Sequence, residues 1–163
     1  MAVKPRRRRN ADSKRRLLGE WRRFARAELQ AHGIESAAVE ADLIAAHVLG
    51  VSRIDLILNS DRSLKPSELR RLTRILNQRG ERIPMQYLLK DVDFSGLCLD
   101  VRPGVFIPRP ETEGLVERVL AEVPDQEGWV ADIGTGTGAI ALAIAIDRPQ
   151  LRVLATDVSR DAI

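Results

Sequence analysis

The stretch Trp129–Asp157 (WVADIGTGTGAIALAIAIDRPQLRVLATD) constrains this chain more than any other. A short apolar run, Trp129-Val130-Ala131, leads through Asp132-Ile133 into a glycine loop, Gly134-Thr135-Gly136-Thr137-Gly138. A small and aliphatic run from Ala139 to Ile146 follows, and after Pro149 comes a β-rich run, Leu151–Thr156, closed by Asp157. This order predicts strand, tight turn, helix, strand: one βαβ unit of a doubly wound α/β sheet. Glycines let the backbone leave the strand sharply and approach a ligand closely, while the helix behind them presents free N–H groups. An acidic residue ending the second strand can accept hydrogen bonds from both hydroxyls of a ribose. An adenosine-containing ligand is therefore the first expectation.

Two classes of such ligand stay open at this point. Gly134-x-Gly136-x-x-Ala139 satisfies the dinucleotide fingerprint, in which alanine can replace the third glycine. Asp132, two residues ahead of Gly-x-Gly-x-Gly, is similar instead to the first motif of class I S-adenosylmethionine methyltransferases. A Walker phosphate loop is excluded, because no Gly-Lys-Ser/Thr follows.

Charge is unevenly spread. Residues 1–16 hold eight of the 26 Lys and Arg and a single acid, Asp12. The remainder carries 18 basic against 22 acidic residues, so the net charge of +3 belongs to a tail and the body is mildly acidic. Such a run is read as a disordered, solvated arm over residues 1–12, with contact to RNA or the ribosome as the alternative. The longest nearly apolar run, Ala139–Ile146, is too short to span a bilayer, and no hydrophobic stretch backs the basic N-terminus as in a secretory signal. The one cysteine, Cys98, excludes an internal disulfide and fits a reducing, cytoplasmic setting. It lies in an alternating strand pattern and is expected to be a buried, inert thiol.

Ahead of the glycine loop the chain changes character once. Ser13 is read as the N-cap of a helix carrying Leu17, Leu18, Trp21, Phe24, Ala25 and Leu29, with Gly33 past its end. A second helix, Ser36–Leu49, is expected to use Val39, Leu43 and Ala46 as its apolar face, closed by Gly50. Ser52-Arg53-Ile54-Asp55 has the capping pattern of a short helix through Leu58. Pro66 suits the first turn of a further helix carrying Leu69, Leu72, Ile75 and Leu76. Residues 13–82 thus read as a helical bundle. His32 and His47 lack ligand partners at metal spacing and are read as structural, so no metal is expected. Residues 83–110 read as a linker, Pro84–Leu89, followed by a hairpin, Val92–Phe94 and Leu97–Val101, around Ser95-Gly96. Residues 111–163 begin the α/β sheet, after a helix whose stripe is Leu115, Val116, Val119, Leu120 and Val123.

Several of these segments in order, Pro-Met-Gln-Tyr-Leu-Leu, the hairpin, Val-Arg-Pro-Gly-Val-Phe-Ile-Pro-Arg-Pro-Glu-Thr-Glu and Asp-Ile-Gly-Thr-Gly-Thr-Gly-Ala-Ile-Ala-Leu-Ala, closely resemble the HemK/PrmC family. These are glutamine N5-methyltransferases of peptide chain release factors, and the likeness runs from about Trp21 to Ile163. Lys90 departs from the family's more usual glycine, and the basic tail lies outside the shared pattern. The resemblance implies S-adenosylmethionine as cofactor, release factors 1 and 2 as partners, a bundle that recognises the release factor, and a monomer that needs no membrane. It further implies that Gly134, Thr135, Gly136, Thr137 and Gly138 pack against the methionine and ribose portions of the cofactor. Asp157 would hold the ribose hydroxyls. Asp132 would order the loop or face the amino group, its plainer alternative being a cap on the nearby turn. Arg109, Glu111 and Thr112 either border the site or form a charged network fixing the hairpin to the sheet, and the network is the preferred expectation.

The family's substrate-binding Asn-Pro-Pro-Tyr motif does not occur among these 163 residues. No catalytic residue is therefore assigned, and the chain is expected to be inactive by itself, with Leu142, Ile144, Val153 and Leu154 leaving apolar surface exposed. Ser159 reads as the N-cap of a further helix, with Arg160–Ile163 its first turn. Two other functions stay open: a methyltransferase of the same superfamily acting on another protein or on nucleic acid, and a non-enzymatic module that binds a partner through the bundle.

Overall fold

A computed structural model describes residues 17–123 and 126–162. The basic arm and Ser13 lie outside these residues. The chain divides into two compact units, with the boundary between Leu89 and Lys90.

The first unit is helical: α1 Leu18–Ala31, α2 Ala37–Leu49, α3 Arg53–Leu58, α4 Pro66–Gly80 and α5 Met85–Leu89. Helix α1 starts at Leu18 without a side-chain cap. Two of the amides that a helix start leaves unpaired are met by the loop after α3: Leu18 N–H donates to the Arg62 carbonyl at 2.9 Å and Gly19 N–H to the Ser60 carbonyl at 2.8 Å. Helix α3 has the full capping box that Ser52-x-x-Asp55 predicts, Asp55 N–H donating to Ser52 Oγ and Ser52 N–H to the Asp55 carboxylate. Helix α4 opens on Pro66, and Glu68 reaches back to accept from Lys65 N–H at 2.8 Å. Trp21, Leu29, Ile44, Leu56 and Leu72 form the centre of one continuous aliphatic core.

Two expectations fail in this unit. The buried face of α2 is Ala37, Glu40, Ala41, Ile44, Ala45 and Val48, whereas Val39 is exposed. The helix is alanine-rich almost all round, so periodicity alone does not fix which stripe turns inward. The segment expected as a linker is the helix α5, and its Met85 and Leu88 pack on the bundle core.

The second unit holds the α/β part of the fold. Strands β1 Asp91–Phe94 and β2 Leu97–Asp100 form an antiparallel hairpin pairing Phe94 with Leu97 and Asp91 with Asp100. Ser95 and Gly96 both have positive φ, 48° and 76°, which is the twist a two-residue hairpin needs. A 3₁₀ turn, Pro110–Thr112, leads into α6 Glu113–Glu122, then β3 Gly128–Ile133, α7 Ala139–Asp147 and β4 Leu151–Thr156. β3 and β4 pair in parallel from Gly128–Leu151 to Ile133–Thr156, with α7 as the crossover.

The period of the strands sorts this unit's side chains into two faces. Val130, Leu151 and Val153 join Phe94, Leu99, Val116, Ala143 and Ile144 in the core. The opposite face carries Trp129 (71% exposed), Ile133 (77%) and Leu154 (52%), with the Arg152 guanidinium 5.4 Å from the Trp129 ring centroid. Leu142 and Leu154 are exposed as expected and Val153 is half-buried, but Ile144 is buried because it faces the covered side. Cys98 is exposed, contrary to expectation: it sits opposite Asp93, while its neighbours Leu97 and Leu99 turn inward against Phe94 and Val92. No helix among the described residues is long and apolar enough to cross a membrane.

Candidate functional site

The glycine loop emerges where β3 and β4 end. Gly134, Gly136 and Gly138 all have positive φ, at 82°, 56° and 75°, a backbone course that side-chain-bearing residues resist. Gly134 N–H and Thr135 N–H both donate to the Thr156 carbonyl, at 2.8 and 2.9 Å, so the loop is hung on the last residue of β4. Gly138 N–H closes a turn on the Thr135 carbonyl at 2.8 Å and opens α7 from a left-handed N-cap.

Each of the two acids has a defined place. Asp132, near the end of β3, accepts the Thr135 hydroxyl proton at 2.7 Å. Its geometry is that of a residue ordering the loop. Asp157, directly after β4, uses one carboxylate oxygen to accept Gly136 N–H and the other to accept Ser159 N–H, both at 2.8 Å. The Ser159 amide, then the Gly136 amide, hold its carboxyl below the usual carboxylate range against a smaller opposing effect of burial. Asp157 is thus an anion at neutral pH with acceptor capacity left over, since each oxygen has a second lone pair. Thr137 completes the loop between Gly136 and Gly138 and is half-buried.

The site offers an anionic hydrogen-bond acceptor, a group able to pair with vicinal hydroxyls. A Cβ built on Gly134 or Gly136 meets nothing within 4 Å, so the space beside the loop at these two positions is open. The anionic Asp157 lies at the loop's edge. Among the described residues there is no group of three or more His, Cys, Asp or Glu placed to hold a metal ion.

A family model described as the PrmC N-terminal domain matches residues 20–89, the helical unit. The release factor glutamine methyltransferase of Mycolicibacterium smegmatis is 43% identical over 139 residues, which is 85% of this chain and 49% of that protein. The enzyme of the same name from Escherichia coli is 38% identical over 143 residues, 88% of this chain and 51% of its own length. This chain belongs to the HemK/PrmC family. It spans about half the length of the curated relatives it matches.

In this HemK/PrmC chain the Phe106–Glu113 segment is half-buried at Ile107, Pro108, Thr112 and Glu113 and exposed at its other four residues. Phe106 is exposed, and neither Arg109 nor Glu111 forms an ion pair or side-chain hydrogen bond among the described residues. The charged network expected to fix the hairpin to the sheet is therefore absent from them. Thr112 N–H closes the 3₁₀ turn on the Arg109 carbonyl at 3.0 Å, which presents the segment without anchoring its charges.

Sequence reading missed a contact on the other side of Asp157. The turn after it is capped by Ser159, whose Oγ accepts Asp161 N–H at 3.3 Å and whose carbonyl accepts Ala162 N–H at 3.2 Å. Arg102 Nη2 donates to the Asp161 carbonyl at 3.1 Å, and a Cβ on Gly104 would come within 2.7 Å of the Asp161 carboxylate. The Val-Arg-Pro-Gly signature thereby supports the turn that Asp157 begins. The available signal was Gly104 itself, whose φ of 97° admits almost no other residue.

Proposed function

We propose that the protein methylates the side-chain amide of the glutamine in the Gly-Gly-Gln loop of peptide chain release factors, with S-adenosylmethionine as methyl donor. The observation that carries this is the pairing of Asp157 with the Gly136 amide, beside an open glycine loop, in a chain of this family. Bound there, the cofactor supplies a methyl group made electrophilic by a sulfonium centre. The chain's own residues bind and orient: Asp157 accepts the ribose hydroxyls, Asp132 keeps Thr135 and the loop in place, and the glycines let the backbone close on the ligand. An amide nitrogen is a weak nucleophile, so alignment of the two reacting atoms does more than any base could.

Calorimetric titration of S-adenosylmethionine into the chain tests the site. Asp157→Ala should weaken binding by about 1–3 kcal/mol, the loss of charge-assisted hydrogen bonds to the ribose. Unchanged affinity would remove Asp157 from the assignment. The substrate is tested with the full-length protein, a release factor and isotopically labelled donor. Mass spectrometry should find the label on the glutamine of the Gly-Gly-Gln loop; label on another residue or on RNA would redirect the substrate.

A further inference from the structure

We propose that a groove on the helical unit, between α1, α2 and the loop after α3, binds the phosphodiester backbone of RNA. The groove encloses about 390 Å³ and is lined by Gly19, Arg22, Arg23, Arg26, Ala38, Asp42 and Ser60. Three arginines thus come from one face of α1, and they do different work. Arg22 is already engaged: its Nε and Nη2 hold the Asp42 carboxylate at 2.7 and 3.0 Å, and its Nη1 donates to the Leu56 carbonyl at 3.2 Å. That fork braces the wall and neutralises the groove's one acid. Arg23 and Arg26 are exposed and form no hydrogen bond or ion pair among the described residues. Two unspent guanidinium groups, three residues apart on a helix, therefore line one concavity.

Two observations select RNA over an acidic protein surface. The rest of the groove is Gly19, Ala38 and Ser60, with no aromatic or large aliphatic side chain. Protein interfaces draw their affinity from buried apolar and aromatic anchors, whereas phosphate recognition needs cations and little else. The groove also follows directly in sequence on residues 1–16, which carry eight Lys and Arg. A polyanion long enough to engage both would gain from each, as counterion release adds over contacts. This inference stands apart from methyl transfer, and either can fail alone.

The test is fluorescence anisotropy of a labelled single-stranded RNA 20-mer of mixed sequence with the full chain, across a salt series. With Arg23→Gln/Arg26→Gln, the slope of log K against log salt should fall by about 1.4, at about 0.7 per phosphate contact. At 0.1 M salt the affinity should drop about 25-fold, which is that slope change extrapolated from 1 M. Ala38→Asp places a carboxylate in the groove at the second residue of α2, where attraction by the helix dipole offsets repulsion from Asp42 one turn on, so the protein should stay folded while RNA binds more weakly. Unchanged slope and affinity in both variants would overturn the proposal, as would loss of all binding on neutralising Arg6–Arg9 with no effect of the groove variants. Polyglutamate competing with RNA at equal charge and salt would likewise overturn it, and would reassign the groove to acidic peptides.

Discussion

The two units of this chain solve the burial problem to different degrees. Among the described residues the helical unit gathers fifteen buried apolar side chains into one core, with the start of α1 met by loop carbonyls and that of α3 by a capping box. The α/β unit gathers seven, and one face of its two-stranded sheet shows Trp129, Ile133 and Leu154 to solvent. A helical bundle can close on itself with four or five elements, because each helix needs only one apolar stripe covered. A parallel sheet needs layers on both faces, and here α6, α7 and the hairpin all lie in the core of one face. The unit that is well covered matches the PrmC N-terminal domain, and the unit that is half covered carries the glycine loop.

The two tryptophans fall one in each unit, Trp21 buried and Trp129 exposed, which makes the comparison measurable. The largest expected effect is Trp21→Ala, costing the bundle about 3–5 kcal/mol in urea unfolding followed by circular dichroism. Trp129 emission, the sole tryptophan signal in that variant, should report an unmoved transition in the α/β unit; a common shift would mean that the two units unfold together. Trp21→Phe should cost much less, since the indole N–H is buried with no hydrogen-bond partner among the described residues.

Next in size is Glu40→Ala, at about 3 kcal/mol or somewhat more. Glu40 is buried on α2 and clamped by Arg79, with Nη2 at 3.0 Å, and by the Ser36 hydroxyl at 2.8 Å. Burial pushes its carboxyl up, but the hydrogen bonds from Arg79 and Ser36 and the charges of Arg79 and Arg82 together outweigh that and hold it below the ordinary range. A pKa depressed by folding contributes stability that is present above the unfolded carboxylate value and lost as pH falls through the folded one. The bundle's stability should therefore fall less steeply toward acid pH in Glu40→Ala than in the wild type, and parallel acid limbs would discount the pair.

Gly136→Ala probes the other unit and should cost about 1–2 kcal/mol, purely from a φ of 56°, because its Cβ would meet no atom within 4 Å. Thermal unfolding followed by Trp129 emission, in a Trp21→Phe background, measures it. The smallest effect expected is Ser52→Ala, about 1 kcal/mol for the lost cap of α3, read from the urea midpoint of the bundle.

What was legible in the sequence is what local chemistry dictates. Ser52-x-x-Asp55, Pro66, Ser95-Gly96 and the glycine loop each impose a backbone course within a few residues, and each is found where the pattern puts it. What was not legible depends on residues far along the chain. Helix α2 turns Glu40 inward because Arg79, 39 residues on, is there to meet it; its own composition offered Val39 an equal claim. Cys98 follows the strand's period as expected, but the phase of that period is set by Val92 and Phe94 across the hairpin. At the candidate site Asp132 and Asp157 stand out by spacing. The donors they accept from, Thr135, Gly136 and Ser159, emerge only once the loop is folded back on the end of β4.

The double grip of Asp157 on Gly136 and Ser159 has a thermodynamic corollary. A loop of alternating glycines is entropically the most expensive backbone to freeze, and a ligand that had to freeze it would surrender part of its affinity in doing so. Here the carboxylate spans both sides of the strand end and does the freezing during folding. On the assignment proposed above, a hydroxyl-bearing ligand would meet a receptor already in shape, with little of its affinity deducted for ordering. On that assignment loop and ligand would share one protonation state: acid that neutralises Asp157 would loosen the loop and remove the proposed acceptor in a single event.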